Sequence, residues 1–236
     1  MQEVFDPPEK LKGVKILAFD LYDTLVDLEG TIEQKVERLQ KGVKARDFAK
    51  RWREQYGNWM DEVRKKNLTW TPLEELIGIG LNITLAEFGL NNLTSDEKNS
   101  LKSAWTSPIP YPDSREGLER LQRKGFVLAT MSNASEATQR QIAKSIGIEF
   151  DHYFSSDSVE TFKPAPEFFQ QALGWSTPQQ IMMVAESASD LNGAAAEDVG
   201  FKTAYIHRIH RGELPTGLTF NIVVRNIQEL ADKLGA

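Results

Sequence analysis

An apolar run over residues 14–19 ends in an aspartate, Asp20, and this junction constrains the fold of the chain more than any other stretch. A short, continuous apolar run is typical of a buried parallel strand. In open α/β sheets, ligands bind in the crevice outside the carboxyl ends of the strands. Asp20 is therefore predicted to lie at that edge, where a carboxylate is a candidate nucleophile. The alternative at this point is a plain aspartate that accepts hydrogen bonds from turn amides.

The chain between Gly30 and Trp105 shows helical signals and no convincing strand. Threonines at 31, 71 and 94, each followed three residues later by Gln or Glu, predict capping boxes at helix starts. Two segments also carry large apolar residues at spacings of three and four, which is typical of amphipathic helices. These residues are Phe48, Trp52, Tyr56, Trp59 and Val63, and then Leu73, Leu76, Ile77, Leu81, Leu85 and Phe88. We therefore expect an all-helical insert after the first strand.

Strands and helices alternate from Pro108 to the end of the chain, which predicts a parallel sheet with right-handed crossovers. The predicted strands are 126–131, 153–155, 181–185, 203–206 and 221–224. The predicted helices are 114–124, one that ends near 146, one through 168–169, 190–199 and 227–234. Residues 1–13 are expected to be a loose lead-in. The sequence therefore predicts an α/β protein with the insert on one connection.

Polar residues follow three of these strands, and parallel strands bring such residues to one edge of the sheet. They are Asp20, the pair Ser132 and Asn133, and Asp190, with Lys163 in a loop between the last two strands. Each of these residues also has a purely structural explanation. Ser132 and Asn133 could be helix caps, Lys163 a solvated loop lysine, and Asp190 a charge favoured at a helix N-terminus. Together, however, a carboxylate, a hydroxyl, an amide and a cation are the groups that covalent catalysis uses.

Composition excludes several classes of protein. The 236 residues include no cysteine, so the chain has no disulfide, thiolate metal site or cysteine nucleophile. The net charge of -6 disfavours a nonspecific nucleic-acid binder. No apolar run approaches the length of a membrane span, and the polar stretch over residues 1–12 lacks the apolar centre of a signal peptide. We expect a cytoplasmic protein that binds neither nucleic acid nor membrane.

The combination of motifs resembles the haloacid dehalogenase superfamily of hydrolases. The motifs that carry the resemblance are Asp-x-Tyr-x-Thr at 20–24, Ser132-Asn133, Lys163-Pro164 and the acidic motif that ends at Asp190. The resemblance implies a Rossmann-like parallel sheet core flanked by helices, with an inserted all-helical cap domain. It places the core at residues 14–26 and 107–236 and the cap at 27–106.

Tyr22 favours one reaction within that superfamily. Its phosphatases usually carry an aspartate at this position, which protonates the leaving alcohol. Phe-Asp-Leu-Tyr-x-Thr-Leu at 19–25 is instead similar to the type II 2-haloacid dehalogenases, which need no metal. Trp52-Arg53 resembles their Trp-Arg pair, whose arginine helps the halide leave. Trp70 falls near their aromatic pocket wall, although core packing is the alternative.

Two departures weaken the resemblance to the dehalogenases, and one spacing favours the phosphatase reaction. Asp23 stands where the family usually has glycine, and Ala185, Ser187 and Ser189 replace a serine, an asparagine and an aromatic residue. The spacing of Glu186 and Asp190 is close to that of the phosphatase metal motif, and Mg²⁺ prefers carboxylate ligands.

The resemblance implies hydrolytic dehalogenation of a small 2-haloacid through an aspartyl ester. Its implied catalytic residues are Asp20, Lys163, Asp190, Arg53 and Ser132, and its substrate-binding residues are Leu21, Tyr22, Asn133, Trp70 and Ser187. Lys163 is expected to keep Asp20 ionised. No cofactor is expected, and the partner is a small anionic substrate. A mostly helical cap could also pair with a second copy to form a homodimer. The alternative is a Mg²⁺-dependent phosphatase of a small phosphorylated metabolite, with Asp20, Glu186 and Asp190 as the metal ligands.

Overall fold

The computed structural model describes residues 11–208 and 219–236. Six of the described strands form one parallel sheet in the order β5-β4-β1-β6-β7-β8. They are β1 (Ile16–Phe19), β4 (Val127–Ser132), β5 (His152–Ser155), β6 (Ile181–Ala185), β7 (Lys202–Ile206) and β8 (Ile222–Val224). The predicted parallel α/β sheet is thus confirmed, and β1 lies at its centre. Most of the predicted lead-in and polar N-terminal stretch, residues 1–10, lies outside the described residues.

Nine helices connect or follow the described strands. The four before the second sheet strand are α1 (Leu28–Arg38), α2 (Ala45–Arg64), α3 (Leu73–Glu87) and α4 (Ser95–Thr106). The others are α5 (Ser114–Lys124), α6 (Glu136–Ile146), α7 (Pro166–Gln170), α8 (Ala188–Ala195) and α9 (Ile227–Lys233). Within the described ranges, none of these helices has the length and apolar character needed to cross a membrane.

Helix ends separate the correct capping predictions from the wrong ones. Thr94 forms the predicted capping box with Glu97 at the start of α4. The box at Thr31 is wrong, because α1 begins at Leu28 and its N-cap is Asp27. The box at Thr71 is also wrong, because Pro72 is the N-cap of α3 and makes no side-chain cap. The buried Leu28 at the start of α1 and Pro72 before α3 therefore mark these two helix starts better than the threonine pattern does.

The two faces of the sheet bury alternate residues of each strand, as the period of two requires. Leu17 and Phe19 of β1 pack into one hydrophobic cluster with α5, α6 and α9. Ile16 and Ala18 pack into the other with α7 and α8. Because β1 is fully covered on both faces, its carboxyl end holds the following residue in a fixed position.

The four helices α1–α4 have a hydrophobic cluster of their own, centred on Phe48, Trp52 and Leu81. We call these four helices the helical insert. A two-residue antiparallel pair, β2 (Val26–Asp27) with β3 (Ile109–Pro110), joins its two ends, and this pair was not predicted. The division into a core and a cap domain at these boundaries stays a prediction.

Candidate active site

Asp20, Lys163 and Asp190 meet at the carboxyl edge of the sheet. Asp20 directly follows β1, and Asp190 lies in the first turn of α8, which follows β6. The Lys163 Nζ atom lies 2.6 Å from Asp20 Oδ1 and 2.7 Å from Asp190 Oδ2. Lys163 Nζ also donates to the Met131 carbonyl at 2.9 Å. A buried ammonium thus joins two buried carboxylates, and the predicted convergence of these three side chains is present.

Burial and charge act in opposite directions on this group. Burial raises the pKa of Asp20, and the nearby charge of Asp190 adds to the rise, while Lys163 and Thr24 oppose it. The net pKa of Asp20 is therefore raised, although Lys163 was expected to favour its charged form. Burial lowers the pKa of Lys163, but Asp190 and Asp20 together outweigh burial, so the net pKa of Lys163 is raised. The ammonium form of Lys163 is accordingly the stable one.

Thr24 links the Asp20 loop to the loop after β6, and the sequence analysis assigned it no role. Its Oγ1 donates to Asp20 Oδ2 at 2.9 Å and accepts from the Glu186 backbone N–H at 3.0 Å. The side chain is fully buried. Thr24 thus fixes the second oxygen of Asp20, while Lys163 holds the first. The signal that could have found it is its place in the Asp-x-Tyr-x-Thr motif, four residues after Asp20.

Arg53 reaches from α2 to the loop that carries Asp20. It forms an ion pair with Asp23, and its Nη1 lies 3.5 Å from Glu29 Oε2. Within the described residues, Nη1 makes no hydrogen bond. Burial lowers the pKa of Arg53, but the charge and hydrogen bond of Asp23, together with Tyr56 and Glu29, outweigh burial, so the net pKa of Arg53 is raised. The backbone of Asp23 has a φ of 61°, the left-handed region that favours glycine, which explains why glycine suits this position.

Tyr22 borders the site with its hydroxyl already engaged. The hydroxyl donates to the Trp105 carbonyl at 2.8 Å, and the two rings meet edge to face with centroids 5.3 Å apart. Burial raises the pKa of Tyr22 well above its ordinary value. The Leu21 side chain packs in the sheet core. Trp70 packs on Phe162 with ring centroids 4.9 Å apart.

Ser132 and Asn133 follow β4 as predicted. Ser132 is fully buried, and its Oγ accepts from the Ala134 N–H at 3.3 Å. Asn133 Oδ1 accepts from the Lys163 N–H at 2.8 Å and from Ser156 Oγ at 3.2 Å. These contacts fix the side-chain amide of Asn133 by its oxygen. Its Nδ2 has only a weak contact with Met60 Sδ at 3.6 Å.

The loop after β6 brings Glu186 and Ser187 to the same site. Ser187 is the N-cap of α8, and its Oγ accepts from the Asp190 N–H at 3.3 Å. Helix α8 therefore begins at Ala188 and ends at Ala195, whereas the sequence analysis placed it at 190–199. Among the described residues, no three His, Cys, Asp or Glu side chains are arranged to hold a metal ion. The alternative ligand set Asp20, Glu186 and Asp190 therefore stays a prediction.

These side chains surround one cavity of about 470 Å³ between the sheet edge and the helical insert. Nearly every predicted site residue with a reactive or polar side chain borders it, namely Asp20, Tyr22, Arg53, Ser132, Asn133, Lys163, Ser187 and Asp190. Trp70 and Leu21 are not among the described residues that border the cavity. Their predicted roles in substrate binding stay predictions.

The family profile of the haloacid dehalogenase-like hydrolases matches residues 14–198. The chain belongs to the haloacid dehalogenase-like hydrolases. The family predicted from the four motifs is thereby confirmed, and so is the prediction that the protein is an enzyme that catalyses hydrolysis.

Several relatives of this haloacid dehalogenase-like hydrolase have named activities. It is 28% identical over 205 residues to haloacetate dehalogenase H-2 of Moraxella sp. (strain B), and the matched region covers 84% of this chain and 88% of the relative. It is 28% identical over 202 residues to the (S)-2-haloacid dehalogenase of Pseudomonas sp. (strain YL), and the matched region covers 83% of each chain. A crystal structure of a defluorinating L-2-haloacid dehalogenase is 31% identical, with a TM-score of 0.85 over 98% of this chain and 99% of that one.

The hydrolase therefore presents a fixed carboxylate, Asp20, to a cavity with cations on two sides. Lys163 lies beside Asp20, and Arg53 lies across the cavity on the helical insert. A second carboxylate, Asp190, lies close enough to receive a proton from a water molecule in the same cavity. This set can attack an electrophilic atom, stabilise an anion that leaves and then hydrolyse the covalent intermediate.

Proposed function

We propose that the chain hydrolyses the carbon–halogen bond of a small 2-haloacid, with release of halide and a 2-hydroxy acid. The observation that carries the proposal is the environment of the Tyr22 hydroxyl. A leaving alcohol needs a proton from a general acid, whereas a halide leaves as a stable anion. Tyr22 donates its hydroxyl to the Trp105 carbonyl and has a raised pKa, so it is a poor acid for an alcohol. A reaction with an anionic leaving group is therefore the one that suits this position.

The first step is an attack of Asp20 on the halogen-bearing carbon. One carboxylate oxygen forms a C–O bond to that carbon in line with the C–X bond, whose electron pair leaves with the halide. The Arg53 guanidinium and the Asn133 amide stabilise the departing halide. Ser132 and the backbone amides that follow Asp20 bind the substrate carboxylate, with Tyr22 shaping that part of the cavity.

The second step is hydrolysis of the ester on Asp20. Asp190, with Ser187 at the N-cap of its helix, takes a proton from a water molecule that attacks Cγ of Asp20. The bond between Cγ and the ester oxygen then breaks, and the product leaves as a 2-hydroxy acid with that oxygen. Asp20 regains a carboxylate that contains the oxygen of the water, and one proton is released to solvent. Lys163 stays protonated throughout and limits the repulsion between Asp20 and Asp190.

We further propose that the helical insert, residues 27–106, is a cap domain on a core of residues 14–26 and 107–236. The insert supplies Arg53 and Tyr56 to the cavity, so its closure would exclude bulk water from the ester. We also propose that the reaction needs no metal or other cofactor. A cytoplasmic location and a homodimer stay predictions.

Halide release from (S)- and (R)-2-chloropropionate and from chloroacetate, measured with and without EDTA, tests the proposal. We expect chloride and the matching 2-hydroxy acid in equal amounts, with rates unchanged by EDTA. A panel of phosphate esters with added Mg²⁺ is the comparison. Turnover of a phosphate ester that EDTA abolishes, with no halide release from any haloacid, would contradict the proposal and support the phosphatase alternative.

A further inference from the structure

The cavity is large for the smallest substrates of the proposed reaction. Its volume of about 470 Å³ lies within the range of about 300–1,000 Å³ that holds drug-sized ligands. A two-carbon haloacid is far smaller than such a ligand. The Asp20 carboxylate, Lys163 and Asp190 fill only the end of the cavity at the sheet edge. The remaining space lies along the helical insert and is not needed for the reacting atoms.

One face of α2 forms the wall of that space. Arg53, Gly57, Met60 and Arg64 border the cavity at intervals of three and four residues, which places them on the same side of the helix. Arg53 lies at one end of this row and Arg64 at the other. The stretch between them is about 16 Å long at 1.5 Å per residue. Between its two charged ends, this row consists of a residue without a side chain and a flexible apolar one, while Glu54, Asn58 and Asp61 of the same helix also border the cavity.

Gly57 is the residue that keeps this wall open. A Cβ atom built on Gly57 would meet no other heavy atom within 4 Å, so neither packing nor backbone conformation requires a glycine here. A glycine in a helix interior nevertheless costs about 0.5–1 kcal/mol relative to alanine. Packing within the insert does not explain this cost. The cavity that Gly57 borders has many polar residues, but Met60 and Leu73 also line it, and their apolar atoms can contact an alkyl group.

We infer that Gly57 determines the chain length of the substrate: it admits the alkyl substituent on C2 of 2-haloacids longer than haloacetate. The inference rests on the proposed dehalogenation and assigns its substrate class. The reacting carbon lies against Asp20, and the alkyl chain extends along α2 past Gly57 and against Met60 and Leu73. A larger side chain at position 57 would fill that volume and compete with the chain.

The test compares 2-chlorohexanoate with chloroacetate in the full-length enzyme. In the Gly57→Leu variant, we expect the ratio of kcat/KM for 2-chlorohexanoate to that for chloroacetate to fall at least about tenfold, the effect of a lost methylene pocket. Gly57→Ala is expected to fall in between. The matched control is Gly78→Leu, a second mid-helix glycine with open space around its Cβ that does not border this cavity, and it should leave the ratio unchanged.

Three results distinguish the possible failures. A wild-type enzyme that uses both substrates, with a ratio that Gly57→Leu does not change, would overturn the inference and leave the proposed function intact. A wild-type enzyme that releases chloride from chloroacetate but not from 2-chlorohexanoate would also overturn the inference. No halide release from any haloacid would overturn the proposed function, and the inference with it. Thermal unfolding of each variant, with Gly57→Ala expected to be at least as stable as wild type, checks the fold.

Discussion

Arg53 of helix α2 forms an ion pair with Asp23, three residues after Asp20 in the loop that follows the central strand. Asp23 is almost fully buried and has a left-handed backbone, and Arg53 is held against it from the helical insert. Tyr56, one turn further along α2, is partly buried beside the same pair. This contact joins the insert to the loop of the proposed nucleophile, so the position of the arginine depends on Asp23.

A double-mutant cycle measures this contact. Asp23→Asn and Arg53→Met each remove one charge, and each is expected to destabilise the protein because a buried charge then lacks its partner. The double variant should recover part of the loss, with a coupling free energy of about 1–3 kcal/mol from urea denaturation. Asp23→Asn should also lower kcat for halide release, since Arg53 is no longer held in place. Additive effects, within about 0.5 kcal/mol, would mean that the pair contributes nothing.

Thr24 should influence the pH dependence of the reaction. Thr24→Val removes the hydroxyl that donates to Asp20 Oδ2 and so raises the pKa of Asp20 further. Because the reaction needs the ionised carboxylate, the acid limb of the kcat/KM profile should move to higher pH. Thr24→Ser keeps the hydroxyl and should keep the wild-type limb. An acid limb that stays in place or moves to lower pH in Thr24→Val would show that Thr24 does not stabilise the carboxylate.

Gly193 allows α8 to pack against the segment that carries Lys163. A Cβ atom on Gly193 would lie 2.7 Å from the Pro164 carbonyl oxygen and 2.8 Å from Cε2 of Phe169. Gly193→Ala should therefore shift α8 together with Asp190, with a loss of about 1–3 kcal/mol in stability and a lower kcat. Gly78→Ala, whose Cβ meets nothing within 4 Å, is the matched control and should be neutral or stabilising. Wild-type stability and activity in Gly193→Ala would contradict this account of the packing.

Glu74 of α3 contacts the N-terminus of α6 and thereby joins the insert to the sheet domain. Burial opposes its charged form, but hydrogen bonds from Ser135 and Thr138 outweigh burial and lower the pKa of Glu74. A lowered pKa means that the stabilisation is present above the ordinary glutamate pKa of about 4.3 and is lost as pH falls below it. Glu74→Gln should therefore cost about 1 kcal/mol at pH 7, and this difference should shrink at pH 4 and below.

The neighbouring exposed residue supplies the control for that prediction. Glu75→Gln changes the same charge in the same helical turn, but Glu75 is exposed. Its effect on the free energy of unfolding should be small at both pH values. Equal effects of the two substitutions at pH 7 would mean that the contact with α6 has no special value.

Hydrophobic pattern was enough to predict the sheet, because buried parallel strands read as apolar runs that end in polar residues. The same pattern predicted that Asp20, Lys163 and Asp190 lie at one edge of the sheet. Helix starts were predicted less well. Thr31 has the sequence of a capping residue, yet its hydroxyl donates within α1 to the Asp27 carbonyl, because the β2–β3 pair fixes where that helix begins.

The contacts that the sequence did not predict depend on tertiary structure. Thr24 bonds to a loop that lies 162 residues away in the chain, and no local pattern carries that information. The pairing of Arg53 with Asp23 also required two separate elements to meet. The sequence drew attention to Asp23 only as a departure from the family pattern. Lys163 was also expected to favour the ionised form of Asp20, but desolvation by burial outweighs the effect of this lysine on the pKa of Asp20.

A single turnover in H₂¹⁸O tests the central claim, that Asp20 forms the ester, most directly. Enzyme in excess over (S)-2-chloropropionate is quenched after one turnover, and the peptide that contains Asp20 and the released lactate are analysed by mass spectrometry. The account predicts one ¹⁸O in the Asp20 carboxylate and none in the lactate, with no turnover and no label in Asp20→Asn. Label in the lactate, with none in the Asp20 peptide, would mean that water attacks the substrate directly and would contradict the account.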